Sequence, residues 1–211
     1  MSQLRDISGA AYGTLQEREN FAKEHGLELV SNRGEEAAYK FEKRKRIYVV
    51  HRGTQKAKDL SADLAVLTGL EKYHPRFQRA EKSQKKLEEE NPGYEFVTVG
   101  HSLGGSIAQY TGKSPRVSRV VTFAKGSGLA EPFRLRASKQ RDYINIYDPV
   151  SLTSQLQSGG RVHRSTEVYT HPHTLLSNLS RQAKKKVSKI KTSLQKIINK
   201  PKRLRGSKNE L

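Results

Sequence analysis

Ser102 lies in the run V-G-H-S-L-G-G-S-I-A, residues 99–108. Gly100, Ser102 and Gly104 match G-x-S-x-G, the spacing that puts a nucleophilic serine on a strained turn between a strand and a helix. The glycines are needed there because side chains would strike neighbouring backbone. The start of the following helix would offer the backbone N–H of Leu103 to a developing oxyanion. The same residues also spell a plain Gly-rich turn whose serine caps a helix.

A hydroxyl is a weak nucleophile until a base is held against it, and the base needs an acid to orient it. With an elbow of this kind the order along the chain is Ser, then Asp or Glu, then His. The carboxylates after Ser102 are Glu131, Asp142, Asp148, Glu167 and Glu210. Asp148 follows the strand-like run I-N-I-Y, so a loop at the C-terminal edge of a sheet would hold it; Asp148-Pro149 can equally be a simple turn. His163, His171 and His173 are the histidines beyond it. Spacing alone does not choose among them, and each could be a surface or packing residue.

The elements that must position these groups are legible in outline. Leu15 to His25 has the pattern of a short helix, and Ala37–Phe41 with Ile47–His51 that of a strand pair joined by the charged turn Glu42–Arg46. Lys56–Leu67 is predicted helical, with Leu60, Leu64 and Leu67 on one face. Lys72–Glu90 is a helix rich in Glu, Lys and Gln, stopped by Asn91-Pro92-Gly93. Tyr94–Val99 is a buried strand, Ser102–Tyr110 the helix after it, and Val117–Phe123 and Tyr143–Tyr147 two further strands. Strands alternating with helices predict an α/β fold with a mostly parallel sheet.

The chain has 211 residues, 34% of them hydrophobic, and a formal net charge of +19 from 40 Lys and Arg against 21 Asp and Glu. That length can bury a real core, but the lean apolar content places part of it outside that core. Residues 181–211 carry 12 Lys and Arg against Glu210 alone, which is most of the excess charge. The expected organisation is a compact domain over 1–180 and a basic C-terminal extension over 181–211, partly amphipathic helix or disordered. With no cysteine there is neither a disulfide framework nor a thiolate metal site. The N-terminal M-S-Q-L-R-D-I-S-G lacks the apolar core of a secretory signal, and no run of about eighteen apolar residues occurs. The expected setting is therefore intracellular or associated with a virus particle.

Four segments, in order, resemble the class 3 lipases, the α/β-hydrolases that include the fungal triacylglycerol lipases. V-V-H-R-G-T followed by D-L-S-A-D-L is similar to the family's F-R-G-[ST] segment and its D-L ending, and G-H-S-L-G-G-S-I-A to its G-H-S-L-G-G-A-L-A elbow. Y-I-N-I-Y-D-P-V resembles its N-x-x-D-P-V acid loop, and G-R-V-H-R-S-T-E-V-Y the H-x-G-x-E-V-W segment that precedes the family's catalytic histidine. The likeness runs from about Tyr39 to Leu179. It implies an α/β-hydrolase fold with Ser102 as nucleophile, Asp148 as acid and His173 as base, His171 being the alternative base and His163 the earlier, non-catalytic one. Thr54 and Leu103 would form the oxyanion hole, and no metal or organic cofactor is needed.

The departures from the family are also specific. His51 stands where an aromatic is usual, and T-F-G-x-P-R-V-G becomes T-F-A-K-G-S-G-L-A-E. The Ser-to-Asp and Asp-to-His intervals are short for the large fungal enzymes. Gln55–Leu67 occupies the place of a lid; it is either a lid or an ordinary packed helix.

The implied function is hydrolysis of an acyl ester, by a phospholipase or acylglycerol lipase. In the tail, Val187, Ile190, Leu194, Ile197 and Ile198 alternate with lysines at near-helical spacing, the pattern of a binder of anionic membrane surfaces. Nucleic acid is the rival partner for the same charge, and a merely solvated tail the third reading. The alternative function is a weak or inactive lipase-fold module that binds anionic membrane or nucleic acid through its tail.

Overall fold

The computed structural model describes residues 2–53, 71–125, 138–145 and 161–165. All the described elements fall within the compact unit Met1–Tyr169. In chain order they are α1 (Ser2–Ala10), α2 (Leu15–Glu24), β1 (Glu28–Asn32), β2 (Glu36–Phe41), β3 (Arg46–His51), α3 (Pro75–Glu90), β4 (Glu95–His101), α4 (Leu103–Thr111), β5 (Val117–Phe123), β6 (Gln140–Asn145) and β7 (Arg161–Ser165). The seven strands form one sheet in sequential order. β1, β2 and β3 pair antiparallel; β3 to β7 are parallel.

Alternation along the strands makes two apolar faces. Tyr48, Val50, Val97, Val99, Val121 and Phe123 pack on one side with Ile7 and Ala11 of the N-terminal segment. Ile47, Val49, Phe96, Val117 and Val120 pack on the other with Leu87 of α3 and Ala108 of α4. Where α3 meets α4, Phe77, Ala80, Leu103, Ile107 and Tyr110 make a third cluster. The result is three layers, helix on sheet on helix, which is an α/β-hydrolase core.

Several elements match their sequence patterns, and the differences have causes. The predicted helix Leu15–His25 is α2, started by a capping box in which Thr14 and Glu17 satisfy each other's backbone N–H. The predicted helix from Lys72 begins instead at Pro75, which suits a first helical position, with His74 accepting from the Arg76 N–H; Glu71–Tyr73 is a separate 3-10 turn. β6 starts three residues before the predicted Tyr143, while residues 146 and 147 lie outside the described residues. Its first residues are polar yet buried: Gln140 and Asp142 are both 0% exposed, Gln140 donating to Asp142, which also accepts from Thr122. The predicted helix 56–67 and the tail 181–211 also lie outside the described residues.

Candidate active site

β4 ends at His101 and α4 begins at Leu103, so Ser102 is the whole connection. Its backbone has φ 54° and ψ −128°, a conformation that L-residues avoid. The surrounding bonds hold it there: the Ser102 N–H donates to the Phe123 carbonyl at 3.0 Å, and the Ser102 carbonyl accepts from Gly105 at 2.8 Å. The side chain makes no capping bond to the helix, so a capping role does not account for this serine.

Glycine on both sides is a steric requirement. A Cβ at Gly100 would strike the carbonyl of Gly104, and one at Gly104 would strike the carbonyl of His51. The first turn of α4 is thereby seated directly on the ends of β3 and β4. Leu103 is buried, and its N–H lies in the first turn, where no intrahelical acceptor exists.

Gly53 closes one side of this corner. A Cβ there would come within 3.1 Å of Ser102 Cβ and 2.8 Å of the His101 carbonyl oxygen. The Gly53 N–H donates to the Tyr12 hydroxyl at 2.7 Å, and that hydroxyl lies 2.9 Å from His101 Nδ1. With Nδ1 as acceptor, Tyr12 links the segment after β3 to the residue before the serine. Sequence spacing gave no sign of this link, because Tyr12 and His101 are 89 positions apart.

Of the residues singled out in the sequence, the structure brings together Gly100, Ser102, Leu103 and Gly104. Thr54, Asp148, His171 and His173 lie outside the described residues. Gly53, the neighbour of Thr54, is packed on the serine, and β6 ends at Asn145, shortly before Asp148. His163 is on β7, its ring stacked on Tyr143 with centroids 4.8 Å apart. Among the described residues no group of His, Asp and Glu is arranged to hold a metal ion.

His51, the departure noted in the sequence, is buried at the end of β3 on the α3–α4 side. Its Nδ1 lies 3.6 Å from Glu36 Oε2 and its Nε2 3.4 Å from Thr111 Oγ1. Ser83 of α3 donates to the other oxygen of Glu36. Burial pushes the Glu36 carboxyl up to about 7 and, with Arg76 nearby, the His51 imidazole down to about 3. At neutral pH this buried pair therefore holds a neutral His51 beside a Glu36 that is part ionised.

Residues 54–126 match the family described as lipase (class 3). No curated protein sequence matches the chain. Among solved structures, the N225Q mutant of MDLA from Penicillium cyclopium aligns at 16% identity over 79% of this chain and 78% of its own, with a TM-score of 0.51. A lipase from Rhizopus microsporus var. chinensis aligns at 14% identity over 79% and 76%, TM-score 0.48. Lip2 lipase from Yarrowia lipolytica aligns at 16% identity over 65% of each chain, TM-score 0.43, so this chain spans about two-thirds of that protein's length. Over residues 54–126 the chain is similar to the class 3 lipases, and its sequentially ordered, mostly parallel sheet is that of an α/β-hydrolase fold.

Proposed function

We propose that this protein is a serine esterase that hydrolyses acyl esters of lipids, a phospholipase working at an anionic membrane surface. The observation that carries this reading is Ser102, held at positive φ on a one-residue turn with the segment before Thr54 packed against it.

In the proposed reaction His173, or His171 in its place, takes the proton from Ser102 Oγ as that oxygen attacks the acyl carbonyl. Asp148 orients the imidazole and stabilises its cation. The N–H groups of Thr54 and Leu103, with the Thr54 hydroxyl, bind the oxyanion. Collapse of the tetrahedral intermediate releases the alcohol, which is protonated by the imidazolium, and water then hydrolyses the acyl-enzyme. The preference for phospholipid rests on residues 181–211, where each Lys or Arg near an anionic leaflet contributes on the order of 1 kcal/mol.

The test is fatty-acid release from anionic phospholipid vesicles and from emulsified triglyceride, wild type against Ser102→Ala, at two salt concentrations. Hydrolysis that vanishes in the variant and favours vesicles at low salt supports a tail-guided phospholipase. No hydrolysis above the variant, with vesicles or DNA still bound, would replace it by the binding-module reading.

A further inference from the structure

A second concave site lies on the α3 side of the sheet. A cavity of about 280 Å³ is bounded by the turn before β2, the start of β2, the end of β3, the first half of α3 and Ile107 of α4. Arg76 and Arg79 come from α3 at a spacing that puts both on one helix face, with Lys82 a further turn along. Arg33 comes from the β1–β2 turn, and all four line the cavity.

Opposing these four cations are two carboxylates, Glu35 and Glu36. Glu35 is shared, 3.2 Å from Arg79 and 3.7 Å from Arg76. Glu36 is buried and engaged by the Ser83 hydroxyl. Even with both carboxylates ionised, the described residues of the wall carry an excess of two positive charges, and neither Arg33 nor Lys82 forms an ion pair among the described residues. Cations converging in a concavity concentrate anions there.

The size of the cavity and the chemistry of its wall narrow the ligand. The volume is at the low end for small-molecule sites. A tetrahedral phosphate matches an excess of two charges and accepts the forked bonds of guanidinium groups. Arg76 is 4% exposed and donates Nη2 to the Arg52 carbonyl at 2.7 Å.

We propose that this cavity binds a phosphate group, carried by a lipid head group or as free inorganic phosphate. Such binding needs neither Ser102 nor turnover, and so stands or falls separately from the esterase reading.

The experiment is calorimetric titration of the full chain with inorganic phosphate and, separately, with glycerophosphocholine, which has no acyl ester. Arg33→Gln/Arg79→Gln/Lys82→Gln removes three exposed rim charges. Lys23→Gln/Lys43→Gln/Lys86→Gln removes three elsewhere and controls for general charge, including that of the tail. The expected result is one saturable site that the rim triple weakens by about tenfold or more, while the control stays within about twofold. Tighter inorganic phosphate would assign the site to the free ion, and tighter glycerophosphocholine to a head group. No saturable site in the wild type, or equal losses in both triples, would overturn the proposal. Loss of lipid hydrolysis in the Ser102→Ala comparison would leave these titrations unchanged.

Discussion

Glu36 Oε2 and His51 Nδ1 face each other at 3.6 Å across adjacent strands, both groups buried, with Ser83 on the far oxygen of the carboxyl. Burial raises Glu36 from 4.5 to about 7, so the folded protein holds that proton where the unfolded chain has released it. Its stabilising contribution is complete below 4.5 and is lost as pH rises through 7. His51 is lowered from 6.5 to about 3, so its contribution is present above 6.5 and lost as pH falls towards 3. Between 4.5 and 6.5 the two slopes oppose each other.

Glu36→Gln isolates the first of these slopes. Relative to wild type the variant should gain about 2 kcal/mol of stability between pH 5 and pH 8, because only the wild type must ionise a buried carboxyl. Denaturant titrations at the two pH values measure it. An unchanged difference would show that Glu36 does not titrate as a buried group.

Gly100→Ala tests the seating of the elbow. The added Cβ would meet Gly104 and Gly105 backbone, which cannot move without displacing α4. Gly26→Ala offers the comparison: φ there is +63° with open space around it, so only conformational strain is added. The expected cost is about 1 kcal/mol at Gly26 and more than about 3 kcal/mol at Gly100, read by chemical denaturation. Equal costs would mean that the close approach at Gly100 is not the reason for glycine.

How much of this was legible in the sequence depends on where each residue's constraint comes from. Val117–Phe123 could be bounded because β-branched residues dominate a doubly covered strand. The elbow could be read because glycine and serine carry its steric and chemical demands locally. Gln140 and Asp142 hid the start of β6, since their burial depends on Thr122 and Gln109, distant in sequence. β1 is a half-exposed edge of five residues, too short and too polar to show a period. His51 was visible only as an anomaly. Glu36 and Ser83 explain it, and they meet it only in three dimensions.

Tyr12→Phe separates positioning from folding at the corner next to Ser102. The variant leaves the Gly53 N–H without its acceptor, which costs about 1–3 kcal/mol of stability. On the proposed mechanism it also loosens the segment entering Thr54. The turnover number should then fall towards the about 10²-fold loss typical of one oxyanion donor, with KM little changed. Unaltered turnover in a destabilised variant would assign Tyr12 to folding alone.

Lys125 and Asp142 are both 0% exposed, an arrangement that no apolar core requires. The ammonium group of Lys125 bonds to Gln109, whose side-chain oxygen also accepts from Gln140 at 3.2 Å; Gln140 in turn reaches both oxygens of Asp142, and Thr122 donates to one of them at 2.6 Å. This network stands behind α4, where the lysine stem packs on Gly105. Removing one charge of such a set opens a buried, charge-bearing network, so Lys125→Met should cost about 3 kcal/mol. Removing both should cost less than the sum, because Asp142→Asn takes away the second buried charge of the same network. A double-mutant cycle in denaturant is expected to give a coupling of about 1 kcal/mol or more. Strict additivity would mean that the two charges are compensated independently, and that the glutamines between them do not couple the strand ends behind the elbow.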